Sequence, residues 1–78
     1  MTVEEIRDVL QGWLTERTGE AVDPDVQFSL HERVDSFDVL ELIVFSERHF
    51  GVSFSADDFA SPAFATLSGL ARIIRSRV

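Results

Sequence analysis

The stretch DSFDVLELIVFSERHFG, residues 35–51, decides the architecture. Asp35 can cap a helix, because its short carboxylate accepts a first-turn N–H that has no partner inside the helix. Asp38 follows three residues later, in the acidic first turn that suits the positive end of the helix dipole. Val39, Leu42, Ile43 and Phe50 then recur at helical spacing, and Phe37, Leu40 and Phe45 widen the apolar arc. An arc this wide predicts a central helix touched by more than one neighbour. Gly51 lies just past the last helical residue and predicts a left-handed stop there. The helix is expected from Asp35 to about Phe50.

Upstream, residues 20–34 form a long connection containing Pro24. Val26, Phe28 and Leu30 alternate, but no second alternating run exists to pair with them as a strand. They are expected to act as apolar pegs that pin the loop across the helices. Before the loop, Val3, Ile6, Leu10, Trp13 and Leu14 make one helical stripe over residues 2–17. Thr2 and Glu5 have the spacing of a capping box, and Gly19 marks the stop. Gly12 interrupts this helix at a cost of roughly 1 kcal/mol, which the stripe should outweigh.

Downstream, residues 52–54 form an extended link. Ser55 and Asp58 signal a helix start, and Pro62 limits that helix to about a turn, ending by Ala60 or Ser61. Asp57 and Asp58 read as first-turn charges. Thr66 can cap a last helix whose buried face is Leu67, Leu70, Ile73 and Ile74. Arg72, Arg75 and Arg77 lie near its C-terminal end, where cations suit the dipole. The expected fold class is all-α: a small bundle of three main helices, one short helix before the last, and a long first loop, formed by a single domain over residues 1–78.

Composition narrows the function. For 78 residues, surface scaling predicts roughly 4,800 Å² of folded surface, which means one modest core and no large walled cleft. There are no cysteines, which removes disulfides, thiolate metal sites and cysteine nucleophiles. Fourteen acids face seven arginines and no lysine, for a net charge of −7. That balance argues against nucleic acid and anionic membranes as partners. It favours a monomer, and a partner with a basic patch would be attracted. No apolar targeting run or membrane-length segment is present, and the expected location is cytoplasmic.

Enzyme and metal readings find little support. Ser36, His31 and the acids invite a hydrolytic triad, but no G-x-S-x-G elbow is present. His31, His49 and Asp35 lack any ligand spacing of a known type. The glycines at 12, 19, 51 and 69 never cluster into a phosphate-cradling loop. One constellation remains. Val34-Asp35-Ser36-Phe37-Asp38 puts a serine at the start of the central helix, where amides and the dipole can hold a phosphate. Read alone, Asp35-Ser36 is better explained as only a cap.

The wider pattern resembles the phosphopantetheine-dependent carrier proteins of the acyl or peptidyl type. The matching core is Asp35-Ser36-Phe37-Asp38-Val39-Leu40-Glu41-Leu42, in the D-S-[LF]-x-x-x-E-L form, followed by Phe50-Gly51-Val52-Ser53-Phe54. The likeness covers essentially all 78 residues. It implies an acyl-carrier-like fold in which Ser36 carries a 4′-phosphopantetheine arm, donated by coenzyme A through a separate phosphopantetheinyl transferase. Substrates would ride on the arm as thioesters, and the chain would be a carrier without catalytic turnover. A loading ligase or acyltransferase with a basic docking patch, and a downstream synthase or transferase, would be its further partners. The docking residues expected on this basis are Asp35, Phe37, Asp38, Leu40, Glu41 and Glu47.

The chain departs from the fatty acid carriers where Arg33-Val34 precede Asp35 and Phe37 follows Ser36. It looks more like stand-alone aminoacyl, D-alanyl or secondary-metabolite carriers, with polyketide or nonribosomal peptide biosynthesis as the expected setting. A D-alanyl or fatty acid carrier is the alternative within the family. An unmodified acidic helical adaptor is the alternative outside it. The phenylalanines at 45, 50, 54, 59 and 64 are expected to leave little room for a long acyl chain between the helices.

Overall fold

The computed structural model describes residues 1–78, with 4,668 Å² of accessible surface. Four α-helices are joined by loops and two 3-10 turns, and there is no strand. Helix α1 runs Val3–Thr18, α2 Ser36–Phe50, α3 Ala56–Ala60 and α4 Leu67–Arg75. The bundle has the acyl-carrier-like plan expected from the pattern.

Each helix starts where a side chain can replace the missing intrahelical acceptor. Thr2, Asp35 and Ser55 each form a complete capping box with the acid three residues later. The Thr66 hydroxyl accepts from the Gly69 N–H at 3.0 Å. Helices α1 and α2 end at Gly19 and Gly51, both at positive φ (78° and 68°), a region that glycine enters without a Cβ penalty. Gly12 lies inside α1 without breaking it.

Ile6, Leu10 and Leu14 of α1, Leu42 of α2 and Leu67, Leu70 and Ile74 of α4 are fully or almost fully buried and form the centre of the core. Helix α1 packs mainly on α4 and also on α2. The long loop is pinned differently from the sequence expectation. Val22, Phe28 and Val34 are its buried pegs, whereas Leu30 is exposed. The reason is local: residues Phe28–Leu30 form a 3-10 turn, so alternate side chains no longer share a face. The Gln11 amide donates to the Val22 carbonyl at 2.7 Å, and the Ser68 N–H donates to the Pro24 carbonyl at 2.9 Å.

The wide apolar arc of α2 is covered along one side and open along the other. Phe37 and Leu40, expected at the docking surface, are exposed, and so is Val44. Leu42 and Ile43 are buried, and Val39, Phe45 and Phe50 pack half-buried against the core, Phe45 stacking on Trp13 of α1. The segment after α3 is a further 3-10 turn, Pro62–Ala65, which brings Phe64 into the core. No helix is long and apolar enough to cross a membrane.

Candidate functional site

Ser36 is the first residue of α2, directly after the Asp35 cap. The cap is reciprocal. The Asp38 N–H donates to Asp35 Oδ1 at 2.8 Å, and the Asp35 N–H donates to Asp38 Oδ2 at 3.1 Å. This geometry holds the first turn without using the serine. The Ser36 side chain is exposed, and its hydroxyl makes no hydrogen bond within the protein. The Ser36 and Phe37 amides, at the positive end of the helix, lie ahead of the first intrahelical bond.

An open groove of about 360 Å³ begins at this serine. Phe28 and Val34 of the loop, Val39 of α2 and Ala65 of the second 3-10 turn form its apolar walls, and Ser29, Asp35 and Ser36 complete it. Sequence reasoning placed Ser36 but not these walls, which come together from segments up to 37 positions apart (Phe28 to Ala65) and share no local signal.

The acids around the site differ in their engagement. Arg17, from the last turn of α1, donates from Nε to Asp38 Oδ1 at 2.6 Å. The side chain of Asp38 is only 15% exposed. The Arg17 bond, followed by the backbone bond of the cap, holds the Asp38 carboxyl below its ordinary range. The same bond raises the Arg17 guanidinium. That guanidinium also sits 5.4 Å from the Trp13 ring and 5.6 Å from the Phe37 ring, within cation–π range. Glu47 turns toward its own fold, accepting from the Phe54 N–H at 3.1 Å. Asp35 is exposed, and Glu41 is half-buried without a hydrogen-bonded or ionic partner in the protein. Phe37 and Leu40 are exposed beside them.

Of the other candidates, His49 stacks on Phe45 at 5.1 Å, which in turn stacks on Trp13 at 5.3 Å. His31 caps the first 3-10 turn. No group of three histidine or acidic side chains is arranged to hold a metal ion. The site is thus one accessible hydroxyl on a rigid helix start, next to an apolar groove.

No curated protein and no solved structure matches the chain. A family model described as the phosphopantetheine attachment site matches residues 4–74, from the first turn of α1 to the last turn of α4. That span takes in the Asp35 cap, Ser36 and the groove beside it, and the chain belongs to the phosphopantetheine attachment-site family.

Proposed function

We propose that Ser36 is the attachment residue and that the protein is an acyl or aminoacyl carrier in natural-product biosynthesis, of the polyketide or nonribosomal peptide kind. Members of the family carry covalently attached 4′-phosphopantetheine and meet a phosphopantetheinyl transferase and further enzymes. The observation that carries the assignment to Ser36 is its exposed and uncommitted hydroxyl at the first turn of a 15-residue helix. The residues present fit the group. The free first-turn amides suit a phosphodiester, and the apolar groove suits the less polar part of a flexible arm.

In the attachment step, Ser36 Oγ bonds to the phosphorus next to the pantetheine of coenzyme A. The pyrophosphate P–O bond breaks, adenosine 3′,5′-bisphosphate leaves, and the hydroxyl proton passes to a base of the transferase. When attached, the arm supplies the thiol that holds cargo as a thioester, a group this cysteine-free chain lacks. The chain presents the cargo and needs no turnover of its own. Phe37 after the serine and Arg33-Val34 before the cap support the natural-product setting over fatty acid synthesis. The cytoplasm, where coenzyme A and the transferases are found, is the matching location.

The test is intact-protein mass before and after incubation with coenzyme A, magnesium and a broad-specificity phosphopantetheinyl transferase. The expected result is a gain of one phosphopantetheine on the wild type and none on Ser36→Ala. An equal gain on the variant would move the attachment to another residue. No gain on folded wild-type protein would leave an acidic helical adaptor as the better reading.

A further inference from the structure

The groove beside Ser36 is apolar on Phe28, Val34, Val39 and Ala65, and only Ser29, Asp35 and Ser36 bring side-chain oxygen to it. Asp35 spends Oδ1 on the Asp38 N–H, and an ionised carboxylate has no proton to donate. The Ser36 hydroxyl is consumed when the arm is attached. That leaves Ser29, which is exposed and whose hydroxyl has no partner within the protein. Its place is nonetheless fixed. The 3-10 turn that carries it is closed by the Leu30 N–H donating to the Gln27 carbonyl at 3.0 Å and the His31 N–H donating to the Phe28 carbonyl at 3.1 Å. Phe28 and Val34 are buried on either side of it along the chain, and Ser68 of α4 ties the loop down through Pro24 and Asp25.

We infer that Ser29 is a positioning residue for the attached arm: its hydroxyl donates to the first hydroxyl or amide carbonyl of the pantetheine and seats that part of the arm in the groove. The inference rests on the carrier reading and deepens it, since the groove begins at the attachment residue. Just beyond its phosphate, pantetheine has a carbon bearing a pair of methyl groups, followed by a hydroxyl and an amide. The apolar walls suit the methyl groups. The polar groups that follow need a partner in place of the water they give up, and apolar walls alone would penalise them. One hydroxyl at a fixed place supplies that partner and selects one orientation of the arm. A plain hydrocarbon cargo gains nothing from Ser29, so the seat favours the arm over what the arm carries. The groove is open, and a single hydrogen bond exchanged against water contributes modestly, so the seated arm can still leave for an enzyme.

The test is NMR of the full chain before and after arm attachment, in wild type, Ser29→Ala and Ser29→Thr, with intact mass confirming complete conversion of each. The readouts are the methyl signals of Val34, Val39 and Ala65 and their NOEs to the arm. Ala65 lies on a different segment from Ser36, so its signal reports an occupied groove and not the new ester. Wild type should show Ala65 and Val39 shifts on attachment, with NOEs from the arm to both. Ser29→Ala should lower the ratio of seated to free arm about fivefold, read as smaller shifts and weaker NOEs. Ser29→Thr, which keeps the hydroxyl, should restore the wild-type pattern. Wall signals that attachment leaves unmoved in wild type would overturn the inference. So would an alanine variant that matches wild type, a threonine variant that matches alanine, or wall signals already displaced in Ser29→Ala before attachment, which would make the serine structural. Each of these leaves the carrier reading intact, whereas no arm on wild type removes both.

Discussion

The Arg77 guanidinium closes the C-terminal end of α4 onto α3 by donating two 2.5 Å hydrogen bonds to the Asp58 carboxylate, Nη1 to Oδ2 and Nη2 to Oδ1. The same carboxylate accepts the Ser55 N–H at 2.7 Å as half of the α3 capping box, and Arg77 Nη1 also donates to the Ser53 carbonyl at 3.1 Å. A five-residue helix has too few internal bonds to stand alone. Its position therefore depends on this fork. Arg77→Ala should speed amide exchange in residues 56–60 by roughly tenfold while leaving the centre of α1 unchanged. Equal protection in α3 of both proteins would show that Phe59 and Phe64 packing suffices.

Acid should release the same contact. The Arg77 fork, followed by the Ser55 amide, holds the Asp58 carboxyl well below its ordinary 3.8. A carboxyl depressed in the folded state stabilises the fold above its unfolded value, and that contribution fades as pH falls through the folded value. Asp58→Asn should therefore melt below wild type at neutral pH, with the gap narrowing from about pH 5 downward and closing only well below pH 3.8. Asp38, held down by Arg17, should behave in the same sense. A gap independent of pH would assign the loss to packing.

Much of this could be read in the chain, because the informative signals were local. Capping boxes at Thr2, Asp35 and Ser55 and stops at Gly19 and Gly51 depend on residues within three or four positions of one another. What could not be read was pairing over distance. Arg17 meets Asp38 from 21 positions away, and Arg77 meets Asp58 from 19. Asp58 is one of the two first-turn charges of α3, as its position implied, and is in addition buried at the centre of a clasp that the local pattern does not reveal. Periodicity likewise shows that Leu42 and Leu40 are apolar but not which of them a neighbour covers. The helix start that exposes Ser36 was legible because the Asp35 cap lies in a short local pattern, while the groove walls are assembled by the fold.

Two glycines should respond to alanine with opposite signs. At Gly69, in the first turns of α4, an ideal Cβ would lie 2.7 Å from the Ala63 carbonyl carbon and closer still to its oxygen. The obstacle is backbone, so the 3-10 turn at Pro62–Ala65 would have to move. Gly69→Ala should cost about 3 kcal/mol or more. At Gly12 an added Cβ meets nothing within 4 Å, and the backbone is ordinary helix. Gly12→Ala should gain about 0.5–1 kcal/mol by restricting the unfolded chain and raising helix propensity. Urea titration of both variants measures the pair, and a neutral Gly69→Ala would mean that the turn yields freely.

The long loop should depend on one serine of α4. Ser68 is buried, its hydroxyl donates to Asp25 Oδ1 at 2.7 Å, and its N–H donates to the Pro24 carbonyl. These bonds hold the loop that delivers Phe28 and Val34 to the groove wall. Ser68→Ala keeps the backbone bond and removes the charge-assisted one, at a cost of about 1.5 kcal/mol. Amide exchange should quicken around residues 23–30 and stay protected in α1.

Adjacent residues at the helix start should separate stability from attachment. Asp35 supplies the cap, so Asp35→Ala removes the acceptor for the Asp38 N–H and should cost about 1 kcal/mol. Ser36 contributes an exposed hydroxyl with no partner in the protein, so Ser36→Ala should change stability by no more than about 0.5 kcal/mol. Chemical denaturation of unmodified protein makes the comparison before any arm is present. A large loss in Ser36→Ala would mean that the hydroxyl serves the fold, and a missing mass gain in that variant could then reflect unfolding. A near-neutral Ser36→Ala beside a destabilised Asp35→Ala would mean that the cap holds the helix and leaves the serine free for attachment.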